Sequence, residues 1–227
     1  MVAYARHERY GPDMAGAPPH LVETWVSGWA RIRGTPPPER HRDGFRIEVG
    51  APDQRTRYVF PAVSATLTRL AEDIRLPGIC LKVCAPPETV RVLVPRRWRL
   101  DPPGTFMQRD DIAPEAIPLP DGYRLERETA EGIDSICVLA ADDSVIATGH
   151  VVVIDRAAIY DRIATHEDHR RLGIGRALVA ALDHAAVARG ARRGLLVATE
   201  PGRALYTALG WKPLAQYTSM AIAPPRP

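Results

Sequence analysis

Arg170-Arg171-Leu172-Gly173-Ile174-Gly175-Arg176 is the stretch of this 227-residue sequence whose residue types and spacing could do chemistry. Two glycines one residue apart let a backbone turn tightly and approach a ligand closely. The apolar periodicity that begins at Ile174 predicts a helix opening here. A helix N-terminus offers unpaired N–H groups and the positive end of a dipole, which suits phosphate. Arginines on both sides add charge-assisted hydrogen bonds. The arrangement is suited to holding a pyrophosphate.

Such a loop needs a strand to deliver it and a helix to anchor it. Residues 158–165 read as the strand, ending in a charged stretch that contains His166 and His169. Residues 174–188 give the strongest helical pattern: Ile174, Leu178 and Leu182 share one apolar face with Ala177, Ala181 and Ala185, Asp183 lies off it, and Gly190 follows as a cap. Residues 195–199, apolar on both faces, read as a central strand. Pro201 opens a short helix to Leu209, and residues 216–222 form a last strand. Upstream, 123–127, 135–140 and 145–154 alternate as strands, with Asp142-Asp143 as a hairpin turn.

The earlier part of the chain is more loosely patterned. Residues 1–20 read as a loose arm, 21–32 and 63–74 as helices, and 45–49, 57–60, 79–84 and 90–94 as strands. An acidic, proline-punctuated stretch at 108–121 is the expected linker. The expected organisation is an N-terminal α/β region (1–107), the linker (108–121) and a ligand-binding core (122–227).

A dinucleotide-binding fingerprint competes for the same glycines. It requires Gly or Ala three residues beyond the second glycine, where Leu178 stands, and glycines that follow the strand at once. Glu200, at the end of the next strand, stands where a ribose-binding acid would, so a dinucleotide-binding protein is kept as a lesser alternative.

The segment from the strand to the C-terminus resembles the GCN5-related N-acetyltransferase (GNAT) family. Arg170, Gly173 and Gly175 fill that family's Gln/Arg-x-x-Gly-x-Gly/Ala pyrophosphate loop, and residues 204–211 (ALYTALGW) look like its A-x-LY-x-x-LGF segment. The resemblance covers roughly residues 145–222. It implies an α/β fold with a mixed, mostly antiparallel central sheet flanked by helices, and transfer of acetyl from acetyl-CoA to an amine. The family's two helices between its first two strands have no room between Arg127 and Ser135. Residues 1–107 are therefore expected to supply that wall through either of their helices, or to form a degenerate second GNAT-like copy. An appended domain unrelated to catalysis is the third reading.

By the same resemblance, Arg170, Arg171, Leu172, Gly173, Ile174, Gly175 and Arg176 would hold the pyrophosphate. Ile163, Ala164 and Thr165 would pair with the pantetheine arm, with backbone N–H groups near Ala164 and Thr165 polarising the thioester carbonyl. Thr199 stands near the place of a pantetheine-binding asparagine. Tyr206, in the LY pair, would reprotonate the coenzyme A thiolate. Asp161 is the candidate base: strand alternation puts it on one face with Ile163 and Thr165, and a salt bridge is the competing role.

Composition bounds the rest. Hydrophobic residues at 45% and charged residues at 25% describe a globular chain. No apolar run reaches the ~18 residues of a spanning helix, and the charged N-terminus shows no secretory signal, so a cytoplasmic location is expected. All but Lys82 and Lys212 of the 30 basic residues are arginine, yet the net charge of +3 gives no concentrated basic patch for nucleic acid. That arginine bias also fits a GC-rich bacterial genome. Cys80, Cys84 and Cys137 lack the partners of a zinc site and read as buried free thiols, so no metal is expected. The resulting expectation is an acetyl-CoA-dependent N-acyltransferase acting by direct transfer on a small-molecule amine or amino acid, with no membrane partner and a homodimer left open. A non-catalytic acyl-CoA-binding regulatory protein is the alternative from another class.

Overall fold

Turn chemistry and periodicity set most of the elements in the computed structural model, which describes residues 16–113 and 115–223. Most of the expected N-terminal arm lies outside them. The first elements are α1 (Pro19–Arg33), β1 (Glu39–His41), β2 (Gly44–Glu48), β3 (Thr56–Phe60), α2 (Ala65–Asp73) and β4 (Ile79–Val83). There follow α3 (Pro87–Arg91), β5 (Trp98–Leu100), β6 (Gly104–Asp110), β7 (Arg124–Ala130), β8 (Ile133–Leu139) and β9 (Val145–Ile154). The last are β10 (Ala157–Thr165), α4 (Ile174–Ala188), β11 (Arg193–Thr199), α5 (Glu200–Ala208) and β12 (Lys212–Ile222). No helix among the described residues is long and apolar enough to cross a membrane.

The chain forms two compact units that differ from the expected segments 1–107 and 122–227. Among the described residues, one comprises 16–23, Pro38–Phe106 and 213–223; the other comprises Thr24–Pro37, 107–113 and 115–212.

In the first unit the strands run in the order β1-β2-β3-β4-β12, with β5 also on β12. The parallel pair β3–β4 is joined through α2, whose Leu67 and Ala71 are buried with Phe60, Leu81, Val83, Trp98 and Met220. The helix expected at 63–74 thus spends its apolar face on its own unit. The Trp98 indole donates to the Ala71 carbonyl at 2.8 Å, and the Arg97 guanidinium donates to the Ala71, Glu72 and Ile74 carbonyls, closing α2 at its C-terminal end. The strand expected at 90–94 is corrected: Val90 lies in α3, because Pro87 in the first turn presets helical φ and Glu88 favours the dipole's positive end.

In the second unit the order is β11-β10-β9-β8-β7, antiparallel throughout except for the parallel pair β10–β11. Glu131 and Gly132, both at positive φ, join β7 to β8 in a two-residue turn. Helix α4 crosses from β10 to β11 and buries Ile174, Leu178 and Leu182 against Ile136, Val151 and Tyr160. Asp183, expected off the apolar face, is buried, where its carboxylate accepts from Tyr160 Oη (2.6 Å) and Arg109 Nη1 (2.7 Å). Asp134 is likewise enclosed by Arg127, Arg189 and Thr129, whose hydrogen bonds outweigh burial and hold its carboxyl down at about 2. The first three linker residues, 108–110, belong to β6. Cys80, Cys84 and Cys137 are free, and burial pushes the Cys84 thiol up to about 12.

Candidate active site

The site lies within the second unit, where a parallel pair stops pairing. β10 and β11 are in register only from Ala157–Arg193 to Ile159–Leu195. Beyond that, β10 continues to Thr165 and β11 to Thr199 with no further partners between them. The break begins where β10 shifts register against β9 between Asp161 and Ala164, with Arg162 at φ 54°. A bulge of this kind re-aims a strand and bends it from its neighbour. It opens a wedge whose walls carry backbone N–H and C=O groups, a surface an extended molecule can join as a strand does.

At the mouth of this wedge stands the glycine loop. The His166 N–H donates to the Ile146 carbonyl (2.7 Å), Glu167–His169 form one 3₁₀ turn, and Arg170 Nε donates to the Thr165 carbonyl (3.2 Å). Arg171 then takes φ 65° and Gly173 φ 82°, both left-handed. Gly173 is the N-cap of α4 and no side chain caps the helix. The first bonds of the helix run from the Arg176 and Ala177 amides to the Gly173 carbonyl, so the Ile174 and Gly175 amides precede them. The two glycines do different work. Open space surrounds a Cβ built on Gly173, where conformation is the constraint. A Cβ on Gly175 would lie 3.3 Å from Leu205 Cδ2 and 3.6 Å from Thr165 Oγ1, so Gly175 lets α5 and the strand end close on the loop. The two loop histidines are engaged at the surface: His169 Nδ1 with the Tyr123 hydroxyl at 2.9 Å, His166 with Asp168 at 3.5 Å.

The opposite face of the sheet is covered by residues 24–33 of α1. Gly28 sits on β10 so closely that a Cβ would come within 2.3 Å of Ile159 Cγ1. This contact carries Arg33, at the helix end, onto Asp161: Nε donates to Oδ2 at 2.5 Å and Nη2 to Oδ1 at 3.1 Å. Ser135, His150 and Asp161 occupy one register row across β8, β9 and β10, and His150 Nδ1 lies 2.8 Å from Ser135 Oγ. Burial first, then the charge of Arg162, depress the His150 pKa; Arg33 acts the same way and Asp161 opposes them.

Strand alternation misplaced part of this set. Asp161 meets Arg33 on the α1 face, whereas Ile163 and Thr165 approach Gly149 and Gly175 on the α4 face. The bulge inserts the residue that breaks the alternation. Asp161 therefore sits in the salt bridge weighed against its role as base, with Arg33 as its partner.

On α5, Thr199 Oγ1 accepts from the Gly202 N–H at 3.3 Å and so caps the helix. Tyr206 is 7% exposed and packs edge-on to Trp211 with ring centroids 5.8 Å apart. Burial raises its pKa, and the negative charge of Asp161 adds to the effect. The sequence reading missed Arg33, Ser135 and His150. A titratable residue amid the apolar strand 145–154 was the available signal for His150; nothing local marks Arg33. No group of three or more metal-ligating side chains occurs among the described residues.

Residues 133–213 match the family model described as an acetyltransferase (GNAT) domain. No curated protein matches the chain. Among solved structures, a GCN5-related N-acetyltransferase from Kribbella flavida is similar over 92% of this chain and 97% of its own, at 14% identity and a TM-score of 0.66. A GCN5-related N-acetyltransferase from Sphaerobacter thermophilus covers 93% of this chain and 96% of its own, at 11% identity and a TM-score of 0.59. A tandem GNAT protein from the clavulanic acid biosynthesis pathway is similar over 82% of each chain, at 14% identity and a TM-score of 0.52. The matched segment spans the bulged strand, the uncapped glycine turn and the Tyr206 helix, and over these residues the chain is similar to the acetyltransferase (GNAT) domain.

Proposed function

We propose that the protein transfers acetyl from acetyl-CoA directly to an amine, a small molecule or amino acid. The observation that carries this reading is the combination of an unzipped parallel pair and an uncapped, left-handed glycine turn at its open end. The turn leaves helix N–H groups for an anion, and the wedge leaves backbone groups for an extended, amide-containing arm. The residues fit coenzyme A on both counts.

In this reading the amides of Leu172–Gly175 take the pyrophosphate, with Arg170, Arg171 and Arg176 adding charge. The backbone of Ile163, Ala164 and Thr165 pairs with the pantetheine, and the hydroxyl proton of Thr199, whose oxygen already accepts from Gly202, is free to donate to it. N–H groups near Ala164 and Thr165 polarise the thioester carbonyl as the amine attacks. Tyr206 donates its phenolic proton to the departing thiolate; burial keeps that phenol protonated until the sulfur needs it. Asp161, with both carboxylate oxygens on Arg33, is a fixed ion pair on β10 and not a free base.

Calorimetry with coenzyme A, followed by acetyl-CoA turnover against a panel of amines and amino acids, tests the reading. Binding with turnover supports it. Binding without turnover on any amine makes the protein an acyl-CoA sensor, and binding of NADH with none of coenzyme A returns the dinucleotide alternative.

A further inference from the structure

We propose that His150 takes the proton from the amine to be acetylated, with Ser135 setting its tautomer and the Arg33-held Asp161 as the counter-charge beside it. The proposal rests on the N-acetyltransferase reading and names the group that completes it.

The argument begins with what each side chain has left to give. Both Asp161 oxygens already accept from the Arg33 guanidinium. His150, its register partner on β9, has Nδ1 engaged with Ser135 Oγ. When Nδ1 carries the proton and donates it to Ser135, Nε2 keeps a lone pair. The groups facing the ring are Asp161 and Arg162 from β10, Arg33 from α1 and Ser135 from β8; Glu128 of β7 follows Ser135 in the row. Burial and the two cations outweigh the one carboxylate, so the ring is neutral and ready to accept near pH 7. His150 pairs with Asp161, the residue at which the β10 bulge begins, so it stands on the strand next to the one that opens the wedge.

The proton account closes. An N–H of the substrate ammonium passes to His150 Nε2, and the freed nitrogen lone pair attacks the thioester carbonyl carbon. The C–N bond forms and the C–S bond breaks, its electron pair staying on sulfur. Tyr206 protonates the thiolate and is restored by the second proton shed from the amide nitrogen. His150 releases its proton to water.

The test uses the full-length protein with isotope-labelled histidine, acetyl-CoA and two probe amines: ethylamine, a cation at pH 7, and methoxyamine, neutral there. Imidazole nitrogen spectra read the tautomer without any turnover. A neutral ring protonated at Nδ1, titrating below the ordinary 6.5, is expected; an Nε2–H tautomer overturns the proposal. With ethylamine, His150→Gln should lose roughly 10²- to 10⁴-fold in kcat/KM and its acid limb, while methoxyamine loses less than about tenfold. Equal losses with both amines, or none, overturn it. Ser135→Ala should repeat the pattern more weakly, which keeps the test open if His150→Gln folds poorly. Coenzyme A affinity separates the two readings: a wild-type protein that fails to bind it ends the N-acetyltransferase reading, whereas binding with Tyr206-dependent turnover and normal His150→Gln rates ends this proposal alone.

Discussion

Each unit contains a parallel β-α-β crossover, and the two treat the turn before the helix in opposite ways. In the first, β3 and β4 stay in register over all five residues from Thr56–Ile79 to Phe60–Val83, and the Cys84 N–H extends the ladder to the Phe60 carbonyl. Its helix begins on Ser64, whose hydroxyl accepts from the Leu67 N–H at 3.2 Å. In the second, β10 and β11 part after three pairs, and α4 begins on a glycine with no side-chain cap. A short helix follows the crossover in both. In the proposed reading, that difference is what makes the second crossover a binding site. Where backbone groups satisfy one another the crossover is only scaffold, and where bonds are withheld it can take a ligand.

The strongest way to break this contrast is to spoil the open turn. Gly173→Val places a β-branched residue at φ 82°, a conformation that costs L-residues about 1–2 kcal/mol and moves the neighbouring amides. Losing two hydrogen bonds to a charged phosphate, at about 1.5–3 kcal/mol each, should weaken coenzyme A binding by at least roughly 100-fold in calorimetry. The empty space around that Cβ means the fold should survive, which far-ultraviolet dichroism checks. Unchanged affinity would detach the loop from coenzyme A.

The next effect falls on turnover alone. Tyr206→Phe keeps the ring on Trp211 and removes the hydroxyl, so coenzyme A affinity and melting temperature should hold. Steady-state kcat should fall roughly 10- to 1,000-fold through loss of the proton donor. Equal turnover would leave Tyr206 as packing.

How much of this was legible in the sequence follows from the range of the interactions. The glycine turn, α4 and the Tyr206 helix are encoded by neighbouring residues, and reading Arg170–Arg176 in order recovers them. The bulge is not: nothing local in Asp161-Arg162-Ile163 announces that Arg162 takes a positive φ, so alternation put Asp161 on the wrong face. Arg33 reaches Asp161 across 128 positions, a pairing that no periodicity predicts. The helix expected at 21–32 was found from its Leu21, Trp25 and Trp29 spacing. Its partner was decided by Gly28, whose missing side chain lets it lie on Ile159.

That close approach gives a smaller effect. Gly28→Ala adds a methyl group where the Ile159 side chain leaves no room, and overpacking of this kind costs about 1–3 kcal/mol. Chemical denaturation should show the loss. Because Arg33 is carried by the same helix, the ethylamine reaction should suffer more than coenzyme A affinity does. A variant of full stability would mean that α1 does not bear on β10 as the structure has it.

The smallest effect tests the closed turn. Ser64→Ala removes the hydroxyl that accepts from the Leu67 amide, uncapping α2 as α4 is naturally uncapped. Loss of an N-cap costs about 0.5–2 kcal/mol, and a half-exposed helix end belongs near the middle of that range, since water partly replaces the lost acceptor. An uncapped helix end alone does not make a coenzyme A site in this account. The β3–β4 ladder stays zipped to Phe60 and Val83, leaving no wedge for the pantetheine, and no left-handed glycine turns the amides outward. Denaturant titration should therefore show the stability loss while calorimetry shows the same single coenzyme A site with unchanged affinity. A second site appearing in Ser64→Ala would mean that capping, and not the parting of β10 from β11, is what distinguishes the two crossovers.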